Sequence, residues 1–275
     1  MEIRLETLRI GVDKENVGAT VLMPAHELPG VLFVHGWGGS QVHDLALAKQ
    51  VSGLGCVCLT FDLRGHGDDE RRSETVTRAQ NLADLVAAYD WLAGRLNVDP
   101  ASIAVVGISY GGYLASLLTA ARPVRWLSLR SPALYKDEEW DRPKRALHHD
   151  PDLPLYRQRE VAASDNRALL ACAEFRGDVL VVEAEHDDIV PHTVIENYAR
   201  ALRKAHSTTV RTISDADHAF SEKSAQRAYS DTLTGWLTEM ITGARSTTAA
   251  KEVDSHKREL RWSEAVDDAG KATHQ

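Results

Sequence analysis

Val105-Val106-Gly107-Ile108-Ser109-Tyr110-Gly111-Gly112 decides how this chain folds. An apolar run from Ile103 to Ile108 reaches a serine with glycines two residues before and two after it. The apolar stretch Tyr113 to Ala121 follows and has helical character. The pattern is strand, tight turn, helix, with Ser109 at the bend. A serine on so sharp a turn needs neighbours without a Cβ, or side chains collide. The turn lifts the hydroxyl above the sheet edge and points the free N–H groups of the helix N-terminus at whatever binds there.

Outward from this turn the chain alternates short apolar runs with amphipathic stretches. An N-terminal hairpin is expected from residues 2–10 and 18–23 around a turn at Asp13-Lys14-Glu15-Asn16. Val31 to Val34 reads as a buried strand, 41–53 as a helix, and Cys56 to Phe61 as the next strand. Thr75 to Leu96 reads as a long amphipathic helix, with Leu82, Leu85, Val86, Tyr89 and Leu92 at helical spacing. After Ser109 come strands at Trp126–Arg130, Asp178–Glu183 and Thr208–Ile213, and helices at Val194–Ala205 and Glu222–Ile241. This order predicts an α/β fold, a mostly parallel sheet with helices on both faces and an antiparallel hairpin at its N-terminal edge.

Residues 133–170 interrupt the alternation. They are rich in charge, proline and aromatic residues, and an interruption this long between two strands is expected to be functional or disordered. The folded body is expected over 1–244. The polar stretch 245–275, with few apolar anchors, is expected to be a mobile tail with one surface helix.

Composition narrows the function. Net charge is −8, so no basic patch is expected for nucleic acid. The N-terminus is charged from its second residue and no stretch reaches the length of a membrane span, so no membrane partner and a cytoplasmic setting are expected. The three cysteines, Cys56, Cys58 and Cys172, read as small buried apolar residues. No metal is expected: His148-His149-Asp150 lacks a His-Glu-x-x-His companion. The glycine clusters match neither a P-loop nor a dinucleotide fingerprint, so no cofactor is expected.

His35-Gly36-Trp37, Ser109, Asp187 and His218 each follow a predicted strand. In open α/β sheets ligands bind beyond the carboxyl ends of the strands. An active site is therefore expected there, whatever any single motif is worth.

Over residues 20–242 the chain resembles serine hydrolases of the α/β-hydrolase superfamily, in the chain order Ser…Asp…His. The resemblance implies Ser109 as nucleophile, His218 as general base and then acid, and Asp187 as the group that orients His218. It implies an oxyanion hole from the backbone N–H groups of Trp37 and Tyr110. The family pattern, an acid four residues before a proline (Pro191), favours Asp187 over Asp188. His218 is favoured over His186 and His192. His35 is expected to be a structural hydrogen-bonding residue, and Asp62, Arg64 and His66 to hold their loop together. Within the superfamily the chain is most similar to small carboxylesterases of the feruloyl-esterase-like and dienelactone-hydrolase-like groups, although dienelactone hydrolases use cysteine where this chain has Ser109. Prolyl-oligopeptidase-type peptidases share the Gly-x-Ser-Tyr-Gly-Gly pattern but carry a large N-terminal domain, which is not expected here.

The implied activity is hydrolysis of a small carboxylic ester through an acyl-enzyme. Acyl transfer, thioester or small-amide cleavage through the same intermediate, and a non-catalytic binding role, are the alternatives. The resemblance also implies a short cap at 133–170, whose Tyr135, Trp140, Leu147, Leu153 and Tyr156 are candidates for an apolar pocket. The alternative is that they only pin the cap to the body. Oligomeric state is left open.

Overall fold

Strand β5 (Val98–Ile108) runs through the middle of an eight-stranded sheet and delivers Ser109 at its carboxyl end. The structure is a computed structural model that describes residues 3–13, 15–24, 28–138 and 140–244. The other strands are β1 (Ile3–Val12), β2 (Glu15–Pro24), β3 (Leu28–Val34), β4 (Val57–Phe61), β6 (Trp126–Arg130), β7 (Asp178–His186) and β8 (Ser207–Asp217). Their spatial order is β1-β2-β4-β3-β5-β6-β7-β8. β1 and β2 form an antiparallel hairpin, β2 joins β4 antiparallel, and every pairing from β4 to β8 is parallel. The mostly parallel sheet with a terminal hairpin is as the alternation predicts.

The helices are α1 (Gln41–Ser52), α2 (Arg78–Ala93), α3 (Tyr110–Leu118), α4 (Leu153–Arg157), α5 (Arg167–Glu174), α6 (His192–Ala201) and α7 (residues 223–244). Strand side chains alternate between two buried faces. Leu32, Val105, Leu127 and Val181 join one core with residues of α2, α3, α5 and α6. Their neighbours Val31, Val106, Ser128 and Val182 are equally buried but lie outside that cluster, on the opposite face. There α1 packs along β2, β3 and β4 and presents Ala48 and Val51. Burial on both faces explains why the central strands read as unbroken apolar runs. Cys56, Cys58 and Cys172 are all buried.

Several element boundaries differ from the sequence reading, those of α2 and β5 for identifiable reasons. α2 starts at Arg78 because Thr77 caps it: Thr77 Oγ1 accepts the Gln80 N–H at 3.1 Å and Gln80 Oε1 accepts the Thr77 N–H at 3.0 Å. It stops at Gly94 rather than Leu96, which is 99% exposed and anchors nothing. β5 begins five residues early, at Val98, because Val98 and Asp99 pair with Leu28 and Pro29 ahead of a bulge. The polar insert Asp99–Ser102 closes on itself, with the Asp99 carboxylate accepting from the Ala101 N–H and the Ser102 hydroxyl.

The segment 133–170, expected to form a cap, lies between β6 and β7 and is built from short turns, α4 and the start of α5. The tail expected at 245–275 lies outside the described residues. No helix among the described residues is long and apolar enough to cross a membrane.

Candidate active site

Ser109 has φ +50° and ψ −112°, a conformation that a residue with a Cβ adopts only at a cost. Its neighbours hold it there. The Ser109 N–H donates to the Arg130 carbonyl at 2.9 Å, and its own carbonyl accepts from Tyr113 and Ala133. The flanking glycines are space requirements. A Cβ on Gly111 would lie 2.1 Å from the Val34 carbonyl oxygen, and one on Gly107 would lie 2.6 Å from that of Gly111. The strand can bend into α3 only if both positions lack a side chain.

Three strand ends then converge. His218, just past β8, places Nε2 3.0 Å from Ser109 Oγ. Its Nδ1 lies 2.7 Å from Asp187 Oδ2 and 2.9 Å from Oδ1. Asp187, just past β7, also accepts the N–H groups of Ile189 and Val190 through Oδ1. Burial pushes the Asp187 carboxyl up, but the His218 bond and the Val190 N–H outweigh it and hold the group below its ordinary value. The Asp187 side chain is 4% exposed and that of His218 15%, so the carboxylate is shielded while the imidazole stays reachable.

The rival residues sit elsewhere. His192 bonds Glu183 at 2.6 Å, and His186 is exposed beside Glu185 and Asp215. Those last three place ligand atoms within 4.8 Å of one another on an open surface. The side chain of His148 lies outside the described residues, and His149 is exposed.

Trp37 and Tyr110 border Ser109 from two sides. Tyr110 is the first residue of α3, so its N–H belongs to the positive end of that helix. Trp37 sits in a loop turned by Gly38 (φ +76°) and by the Gly39 N–H to Gly36 carbonyl bond. The indole packs edge-on against His66 and Tyr110, with centroids 4.7 and 5.7 Å away. His35 beneath it accepts the Leu63 N–H on Nε2 and bonds the Gly36 carbonyl through Nδ1, a pattern that requires the neutral ring. Burial pushes its pKa down to about 4, and that of His66 likewise. Asp62 accepts from the backbone and side chain of Gln41, tying the loop to α1. Arg64 is buried against Asp84. These residues hold loops, as expected of them.

A cavity of about 910 Å³ opens over Ser109 and His218. None of the five cap residues considered for a pocket lines it. Tyr135 packs edge-on against Tyr110 and Tyr113. Leu147 and Leu153 are buried in the main core. Trp140 lies between the guanidiniums of Arg78 and Arg167, and the Tyr156 hydroxyl accepts from Asn166. They fasten the cap, because aromatic and aliphatic groups this close to the body gain more from core burial than from solvent.

Two residues emerge that the sequence does not single out. Lys144 of the cap is fully buried, with Nζ 3.7 Å from the centroid of Trp37 and 4.6 Å from that of Tyr110. Burial pushes its amine well below the ordinary lysine value. Arg130 ends β6 in register with Ile108 and lines the cavity beside Ser109. Nothing in their local sequence marks either as more than a solvated cation.

The prolyl oligopeptidase family model matches residues 44–244. An uncharacterized protein of Mycobacterium tuberculosis (strain H37Rv) is 36% identical over 173 residues, 63% of this chain. The chain spans 57% of the length of that relative. Among solved structures, a dienelactone hydrolase from Anabaena variabilis is similar with a TM-score of 0.65 at 20% identity, covering 88% of this chain and 100% of its own. Est1E from Butyrivibrio proteoclasticus, solved with ferulic acid bound, gives a TM-score of 0.67 at 18% identity, covering 86% and 99%. At such identities these two speak for the α/β-hydrolase fold alone. With the model spanning most of its length and the fold agreeing, the chain belongs to the prolyl oligopeptidase family of the α/β-hydrolase superfamily.

Proposed function

We propose that this protein is a serine hydrolase that cleaves small carboxylic esters through an acyl-enzyme. The observation that carries the reading is the continuous hydrogen-bonded chain from Asp187 through His218 to Ser109 Oγ, with links of 2.7 and 3.0 Å. A serine hydroxyl is a weak nucleophile until a base takes its proton in the transition state. His218 Nε2 is within reach to take it, and Asp187 fixes the tautomer that leaves Nε2 free to accept.

In this reading Ser109 Oγ attacks the ester carbonyl as its proton moves to His218. The Trp37 and Tyr110 N–H groups stabilise the oxyanion, typically one of the largest contributions in such sites. His218 then gives the proton to the departing alcohol, leaving an acyl-serine. Water repeats the sequence, with His218 as base, and releases the acid.

A second reading, cleavage of a small amide through the same intermediate, is favoured by the family match to prolyl oligopeptidases. Turnover of p-nitrophenyl acetate, butyrate and octanoate, set against the matching p-nitroanilides, separates the two. Ester turnover abolished by Ser109→Ala, with fluorophosphonate labelling lost in the same variant, is expected. A native protein that neither turns over esters nor takes the label refutes the esterase reading.

A further inference from the structure

The cavity over Ser109 has a recess whose wall is polar and unsatisfied. Arg130 Nε, Tyr229 Oη and Asp44 Oδ2 are each buried without a hydrogen-bond partner among the described residues. All three residues line the cavity that holds Ser109 and His218. Tyr229 and Asp44 are each 3% exposed. Buried polar atoms left unpaired cost about 1–3 kcal/mol each, so three in one recess call for a partner.

The recess is built to present donors. The Arg130 guanidinium lies over Phe220 at 4.6 Å and Tyr229 at 5.1 Å, which fixes its plane. Neither Arg130 nor its cavity neighbours Lys223 and Arg227 has a carboxylate within ion-pair distance among the described residues. Asp187 and Asp217 act on the Arg130 charge from further away. Burial pushes the Asp44 carboxyl up to about 7, so near neutrality it too can donate a proton to a bond. The cavity lining carries Arg130, Lys223 and Arg227 against the two acids Asp44 and Asp231.

We propose that the Asp44–Arg130–Tyr229 recess binds a carboxylate carried by the substrate, so that the preferred esters are monoesters of short dicarboxylic acids. An arginine fork matches a carboxylate in charge and planarity, and a tyrosine hydroxyl adds a third donor. Arg130 and Ser109 share the carboxyl edge of the sheet, with Arg130 paired to Ile108, so one short chain can reach both. The inference rests on the ester-hydrolase reading for its chemistry and on the recess for its selectivity.

The experiment compares monoethyl glutarate with diethyl glutarate by pH-stat at pH 6.5, where Asp44 is mostly protonated. The half-ester is expected to have a kcat/KM at least tenfold higher. Arg130→Met should remove that preference, mainly by raising KM for the half-ester. If Arg130→Met does not fold, Tyr229→Phe should lower the preference about threefold. Equal or preferred turnover of the diester by the native protein overturns the inference while leaving the esterase reading intact. Thermal melting with glutarate against 1,5-pentanediol needs no catalysis. If no ester is cleaved and Ser109 takes no fluorophosphonate, the esterase reading fails. A Tm raised by glutarate alone would then still support the recess, and an unmoved Tm would overturn it.

Discussion

Asp187 receives His218 on both carboxylate oxygens, while the adjacent Asp188 bonds no histidine among the described residues. The two acids differ by one position in sequence and by their whole role in the site. Asp187→Asn replaces the acceptor with an amide that favours the wrong imidazole tautomer. Ester kcat should fall by about 10⁴-fold with little change in KM. Asp188→Asn should stay within about twofold of the native rate. Steady-state kinetics on both variants tests the assignment, and an equal loss in each would refute it.

Gly111 and Gly38 both lie beside Ser109 but should respond differently to alanine. At Gly111 the new Cβ would meet the carbonyl oxygens of Val34 at 2.1 Å and His35 at 2.5 Å, backbone at the end of β3 that has no room to give way. Gly111→Ala should cost at least ~3 kcal/mol of stability or prevent folding. At Gly38 nothing lies within 4 Å of a Cβ, and only its φ of +76° resists. Gly38→Ala should cost about 1–2 kcal/mol. Urea unfolding of the two variants reads the difference.

These contrasts mark what a single sequence can carry. The ends of four apolar runs placed His35-Gly36-Trp37, Ser109, Asp187 and His218 at one edge, because parallel strands share a direction and the sheet fixes where they finish. The Thr77-Arg78-Ala79-Gln80 capping pattern also lay in the sequence and marks where α2 begins, three residues past the start that apolar periodicity gave. Arg130 and Lys144 were not legible. A cation at a strand end or after a proline is usually solvated. Only the packing of Phe220 and Tyr229 on Arg130, and of Trp37 and Tyr110 around Lys144, takes them out of water. The aromatic residues of the cap were legible as apolar, but whether they face a cavity or the core depends on tertiary contacts between distant segments.

His35 and His66 should make the fold sensitive to acid. Burial depresses both rings to about 4, whereas in the unfolded chain they titrate near 6.5. Between those values the unfolded state holds more protons, so stability is full above pH 6.5 and falls as pH drops toward 4. Each ring contributes a loss of about 3 kcal/mol across that window. In His35→Gln, where the amide oxygen can still accept the Leu63 N–H, the slope of unfolding free energy against pH should be shallower by one such contribution. Parallel slopes for native and variant would show that His35 takes up its proton without unfolding.

Trp140 tests the cap. Its indole is held between Arg78, 5.1 Å from the centroid, and Arg167 at 4.9 Å. Arg78 is fully buried and reaches on to the carbonyls of Lys136 and Glu138. The indole therefore closes a clamp between the first turn of α2 and the first turn of α5 rather than a wall of the cavity over Ser109. Trp140→Ala should lower stability by about 1–2 kcal/mol, through the loss of two cation–aromatic contacts and partial burial. The ratio of acetate to octanoate ester turnover should not move, because no atom in reach of the acyl chain has changed. A shift in that ratio of more than about threefold, with the melting temperature unchanged, would return Trp140 to the pocket and require the cap to sit over Ser109 during catalysis.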